Sequence, residues 1–320
     1  MATKEKSKRD FGSVLQKQGL LVMLLLLIIF FRIFETEYFL TFDNFITILV
    51  GATALGIMAA AQTPLIVSGG IDVSVGSVVA LTTVLVGKLL ATGMPSWLVV
   101  LISIIAGTSV GVLNGFIVVQ LGVNPFITTL GTMSFFSGLA FILSSGQTVS
   151  IRDDLFDWFL YTKPLNIPIF VYILVFIMAL ALFIERKTVV GRNIFAIGGN
   201  REAARLSGIS IKMLPLGLYA VSGLSAAMGG LVLVCQLGAA SPQLGTSYLL
   251  SVVTAVILGG TSLAGGRGSI VGTAMACGIL ATLSNGFAHL QLPSYGQTTA
   301  LGAALIIAVL IDQTSSKVRK

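Results

Sequence analysis

Inside otherwise apolar stretches of this 320-residue chain stand a few uncharged hydrogen-bonding side chains: Gln62, Asn114, Asn124, Thr128, Thr129, Thr132, Gln236, Thr254, Asn285 and Gln297. Amides and hydroxyls can pair with a neutral, polyhydroxylated solute without confronting it with a fixed charge. Helices within a membrane also use them to bond one another. The residues best placed to line a solute path are Gln62, Asn114, Asn124, Thr128, Gln236 and Asn285, with Gln62, Asn114 and Asn285 foremost.

Asp72 is the one carboxylate expected near membrane depth. A charge there is costly and points to function; an Asp just before Val73-Ser74 can equally cap the helix that follows. The single histidine, His289, reads as a hydrogen-bonding group at an outer rim, because a proton relay needs a chain of titratable partners. Cys235 and Cys277, far apart in sequence, read as small packing residues rather than a disulfide or metal pair. The only Gly-Lys pair, Gly87-Lys88, has Thr82 where a phosphate-binding loop needs its first glycine. No zinc-protease pair or nucleophile elbow occurs. The chain carries no ATPase motif of its own, an intramembrane enzyme is disfavoured, and no cofactor or metal is implied.

The elements that must position these residues are membrane helices. Hydrophobic residues make up 55% of the chain and charged ones 10%, and the mean hydropathy is +0.99. A bilayer core about 30 Å thick needs roughly 20 apolar residues per helix. Ten such stretches are predicted, near 18–34, 46–67, 73–91, 96–120, 125–145, 167–184, 213–237, 247–264, 269–290 and 297–312. The first ends in Phe30-Phe31-Arg32 with no small-residue cleavage pattern, so it is a span rather than a removable signal. With the N-terminus inside, every Lys and Arg except Arg32, Lys88, Arg152 and Lys163 falls on the cytoplasmic side. This is the positive-inside pattern, and an even number of spans returns the C-terminus to the cytoplasm. The net charge of +7 thus follows topology and forms no stripe suited to nucleic acid.

The predicted fold is all-α and polytopic, a single transmembrane domain over 1–320. An outer loop at 146–166 combines Asp153, Asp154 and Asp157 with Trp158, Phe159 and Tyr161, which predicts a short interfacial helix. An inner loop at 185–212 ends its first half in a glycine-rich break, after which Arg201–Ser207 should be helical until Gly208 stops it. Glycines cluster in Ser68–Ser77 and in Gly259–Ser269. Of these residues, Gly69, Gly70, Asp72, Gly76, Gly259, Gly260, Gly265 and Gly266 are expected at buried packing or gate positions, since small residues permit close backbone approach. Leu113-Asn114-Gly115-Phe116 is echoed by Ser284-Asn285-Gly286-Phe287, which hints at two five-span halves inverted in the membrane.

Four ordered motifs resemble the membrane permease of ribose-type carbohydrate ABC importers. They are Gly69–Ser77, Asn124–Thr132, the run Gly198-Gly199-Asn200 through Ile209, and Val256–Gly268. The resemblance implies a type II ABC importer-like permease in a bacterial plasma membrane. Its implied partners are a cytoplasmic ATP-binding cassette protein, an extracytoplasmic sugar-binding protein and a second permease copy. Within the inner loop it assigns ATPase docking to Gly199, Asn200, Glu202, Ala203, Ala204, Arg205 and Gly208, which match an EAA-type loop. Ala61-Gln62-Thr63-Pro64 departs from the smaller residues of many relatives. Ribose, another pentose, a hexose, a polyol and a furanosyl signal molecule all stay open; the alternative of a secondary transporter is disfavoured by the scarcity of intramembrane charge.

Overall fold

The computed structural model describes residues 19–34, 38–245, 247–293, 295–300, 302, 303 and 306. Helix α1 (Gly19–Phe34) leads to α2 (Phe42–Val67), α3 (Val75–Ala91), α4 (Ser96–Val119) and α5 (Pro125–Ser144). A connecting segment follows, with strand β1 (Val149–Ser150) and helix α6 (Asp154–Tyr161). Then come α7 (Ile169–Lys187), α8 (Val189–Gly199), α9 (Arg201–Leu206) and α10 (Met213–Leu237). Strand β2 (Ala239–Ala240), α11 (Tyr248–Leu258) and α12 (Ile270–His289) complete the described core.

Six of these helices, α2, α4, α5, α7, α10 and α12, are long and apolar enough to cross a bilayer; α1, α3 and α11 are shorter and apolar. The chain is a polytopic, all-α membrane protein. The largest departure from the sequence reading is at 247–264. There α11 has only 11 residues, about 16 Å of helix and half the hydrocarbon thickness. It stops at Gly259, and residues 259–269 form an irregular connection to α12. The span predicted at 297–312 lies mostly outside the described residues, which are helical over 295–300.

Helices α2 and α10 form the enclosed centre, and α5 and α7 are the most open. Helix α10 packs chiefly on α4, α2 and α3, and α2 also contacts α12 and α7. Small residues set the closest crossings. A Cβ on Gly107 would lie 2.9 Å from the Gly223 carbonyl, and one on Gly76 would lie 2.6 Å from the Gly245 carbonyl. Apolar side chains such as Leu101, Ile105, Ile127, Phe135, Val175 and Phe176 point outward from α4, α5 and α7, as lipid contact requires.

Helix α1 is anchored by Phe31, which is fully buried and stacks edge-on with Phe287 of α12. Helix α6 forms as its pattern predicts. Asp153 accepts from the amides of Leu155 and Phe156, Phe156 turns inward, and Trp158 and Tyr161 stay exposed. The antiparallel pairing of β1 with β2, Val149 with Ala240 and Ser150 with Ala239, had no sequence signal because two residues carry no readable alternation. In the 185–212 loop the expected glycine-rich break narrows to Asn200. Gly191, Ile194 and Ile197 form a buried face that keeps Val189–Gly199 helical.

Candidate functional site

After α2 ends, residues 68–74 turn back into the bundle. Gln62 donates from Nε2 to the Asp72 carbonyl at 2.8 Å. Gln62 precedes the end of α2 by five residues, so Asp72 lies about 7 Å inward of that end at 1.5 Å per residue. The carboxylate is wholly buried and collects donors from three elements. The Ser74 amide and hydroxyl donate to Oδ1 at 2.9 and 2.6 Å, and Ser222 of α10 donates to Oδ2 at 2.7 Å. Asn114 of α4 donates to Ser74 Oγ at 2.8 Å and reaches Asp72 Oδ1 at 3.5 Å. Thr132 of α5 in turn donates to Asn114 Oδ1 at 2.7 Å. Tyr219 brackets the turn, exchanging hydrogen bonds with the amide and carbonyl of Ile71.

Asp72 therefore acts as the centre of a polar knot that ties α2, α4, α5 and α10 to the start of α3. A buried carboxylate holding several donors is strongly stabilising to its surroundings and costly to remove. Its bond to the Ser74 amide organises the turn before α3, and Ser74 itself makes no side-chain cap. The signals missed in the sequence are Ser74, Ser222 and Tyr219. Serines and tyrosines at single positions in apolar runs carry no periodic mark.

A second junction lies at the end of the bundle that bears α8 and α9. The Gly266 amide donates to the Val67 carbonyl at 2.8 Å. A Cβ on Gly198 would collide with that same carbonyl and lie 2.6 Å from the Gly266 amide. Gly265, with φ of +81°, completes the contact, since its Cβ position is 3.2 Å from the Gly198 and Val67 carbonyls. Leu65, Val67, Ile194, Leu218 and Tyr219 form one buried apolar cluster beneath it. Glu185, at the end of α7, accepts from the Ile270 amide at 2.6 Å and so holds the start of α12. The end of α8 is thus wedged between the two glycine-rich connections. Gly69, expected among the buried packing positions, is instead exposed with open space around its Cβ position, because its φ of +86° serves the turn itself; Gly259 meets the α12 backbone, 2.5 Å from the Thr273 amide.

Helix α9 projects beyond this junction. Asn200 caps it by accepting from the amides of Glu202 and Ala203, and Gly208 follows it at φ of +79°. Ala204 is buried, while Glu202, Ala203, Arg205 and Leu206 are exposed. The Arg205 guanidinium chelates the Glu202 carboxylate and holds it below the usual carboxylate range.

The remaining path candidates scatter. Asn124 caps α5, accepting from the amides of Phe126 and Ile127. Thr128 has a buried hydroxyl with no hydrogen-bond partner. Gln236 donates to the Val50 carbonyl at 2.9 Å and pins α10 to α2. Asn285 of α12 donates to Asn44 Oδ1 at 2.8 Å, and His289 meets the same oxygen at 3.2 Å. Among these residues Asn285 alone lines a cavity of about 480 Å³, which it shares with Thr47, Ser247, Tyr248, Ser251 and Gln297. A second, almost wholly apolar cavity of about 370 Å³ lies between α2, α7, α8 and α10.

Residues 44–311 match the family described as branched-chain amino acid transport system / permease component. The chain belongs to this permease family. The permease is 34% identical over 316 residues to the ribose import permease protein RbsC of Haemophilus influenzae, covering 98% of each chain. It is 36% identical over 302 residues to RbsC of Escherichia coli K12, covering 93% of this chain and 94% of that one. The D-allose transport system permease protein AlsC of E. coli K12 is 32% identical over 314 residues, with 98% and 96% covered. No solved structure matches the permease. It is a membrane transport subunit and not an enzyme.

Proposed function

We propose that the permease carries a monosaccharide into the cytoplasm as the membrane subunit of an ATP-binding cassette importer. The observation that carries this reading is the wedging of α8 between the two glycine-rich connections, together with relatives whose names specify ribose and allose. A push on α9 from the cytoplasm reaches the end of α2 and the start of α12 through backbone contacts that leave no slack. In this reading Gly199, Asn200, Glu202, Ala203, Ala204, Arg205 and Gly208 form the docking surface for the ATPase, within 185–212. Gly69, Gly70, Asp72, Gly76, Gly259, Gly260, Gly265 and Gly266 hold the inner gate. Both termini face the cytoplasm, ten helices form two inverted halves, and two permease copies flank the path. An extracytoplasmic binding protein supplies the sugar and most of the selectivity.

The test is reconstitution of the permease with its ATPase and binding protein in liposomes, followed by uptake of labelled D-ribose and D-allose. ATP-dependent accumulation is expected. Uptake driven by a proton or sodium gradient without ATP would overturn the reading in favour of a secondary transporter. Replacing Ala203 with Trp should abolish uptake while leaving the permease inserted at normal levels; full uptake in that variant would remove α9 from the docking surface.

A further inference from the structure

The cavity of about 480 Å³ is bounded by the first turns of α2, the start of α11 and the last turns of α12. It therefore opens toward the end of the bundle opposite α8 and α9. Its size lies within the range of about 300–1,000 Å³ typical of small-molecule sites. Thr47, Ser247, Tyr248, Ser251, Asn285 and Gln297 supply it with donors and acceptors, and none of the described residues in its wall is charged. Leu55, Leu280 and Ala281 supply apolar surface beside them.

That mixture fits one class of solute. A sugar ring presents hydroxyls around its edge and C–H groups on its faces, and needs no countercharge. A branched-chain amino acid brings a carboxylate and an ammonium, whose removal from water is costly unless each is paired. No described side chain in this wall carries a charge to pair them. Asn285 stands in this wall: its amide nitrogen donates to Asn44 Oδ1 at 2.8 Å, and its amide oxygen lies just beneath the cavity surface with no hydrogen-bond partner. A turn of the side chain about its bond to Asn44 would bring that oxygen to the cavity, where accepting from a solute hydroxyl would relieve an unsatisfied acceptor. Gln297, bonded to Ser284 from the facing side, fixes the opposite wall.

We infer that this cavity is a subsite for a neutral polyhydroxylated solute of monosaccharide size, contacted by Asn285, Ser251 and Gln297, and that it rejects zwitterionic amino acids. The inference rests on the importer reading for its biological meaning. Its test does not need transport. Ser251→Cys in the full-length permease gives a partly exposed thiol, whereas Cys235 and Cys277 are buried. Maleimide labelling of that thiol should slow at least threefold in tens of millimolar D-ribose, D-allose or L-arabinose, and should not respond to L-leucine. Protection by no sugar, or equal protection by leucine, would overturn the assignment. In the reconstituted importer, Asn285→Leu should cut the maximal uptake rate at least tenfold while ATPase activity persists; unimpaired uptake at normal protein levels would count equally against it. Sugar protection without ATP-driven uptake would uphold the subsite and sink the importer reading, and ATP-driven uptake without protection would do the reverse.

Discussion

Two asparagines that stand in matching tetrads, Asn114 in α4 and Asn285 in α12, meet opposite fates. Asn114 is fully buried; its nitrogen reaches Ser74 and Asp72, and its oxygen receives Thr132. Asn285 is partly exposed and bonded through its nitrogen, and it borders a cavity with its oxygen unpartnered. The difference lies in what faces each residue. Asn114 meets a carboxylate that gathers donors, so the space closes. Asn285 instead faces the start of the short α11 across a cavity. The same side chain builds structure in one place and leaves a vacancy for solute in the other.

Removing the carboxylate should break the comparison most severely. Asp72→Ala strands donors from Ser74, Ser222 and Asn114, at a cost of about 3 kcal/mol or more. The expected result is little folded permease in detergent by fluorescence-detected size exclusion, with partial rescue by Asp72→Asn. A yield and melting temperature like the parent's would show that the knot is dispensable. Next in size is the wedge. Gly198→Val places a side chain against the Val67 carbonyl, and ATP-driven uptake should fall at least tenfold; intact uptake would mean that the junction has room to yield.

The sharpest contrast is between Asn114→Ala and Asn285→Ala. The first should lower stability by about 1–3 kcal/mol yet leave uptake per folded molecule near the parent's. The second should cost about 1 kcal/mol or less and reduce the maximal rate more than the apparent affinity. Thermal melts and initial rates on the same preparations decide it, and matching profiles for the two variants would erase the distinction. The smallest effect concerns the exposed Glu202–Arg205 pair. Because Arg205 depresses the Glu202 pKa, whatever the pair contributes is present above the ordinary glutamate pKa and fades as pH falls through the depressed value. Arg205→Ala should leave the neutral-pH melting temperature unchanged, measured by differential scanning fluorimetry; a shift of several degrees would reveal a network beyond the pair.

Much of this was legible beforehand. Long apolar runs forecast α2, α4, α5, α7, α10 and α12 to within a few residues, because lipid imposes composition directly on sequence. Asn200 and Gly208 marked α9 through capping chemistry. The end of α11 was misread because Gly259-Gly260 sits among residues as apolar as any span, and hydropathy does not register where a backbone leaves the helix. Gln62 and Asn114 stood out as polar residues in apolar helices, but pattern alone could not say which polar residue already had a partner. That depended on Ser74 and Ser222, brought together across 148 positions of chain only by the packing of α10 on α3 and α4.

The short α11 has a consequence for how the chain is made. Between β2 and α11, Ser241 to Gly245 descends beside α3 as irregular backbone, with the Ser241 carbonyl accepting from Thr83 at 2.8 Å and Gly245 pressed on Gly76. Lipid cannot satisfy such a stretch. It must therefore enter the membrane onto a finished surface, and α3 is that surface. Synthesis from the N-terminus supplies α3 first, so the early part of the chain serves as a template on which the later part is threaded. The second half expressed by itself would have nowhere to lay this segment.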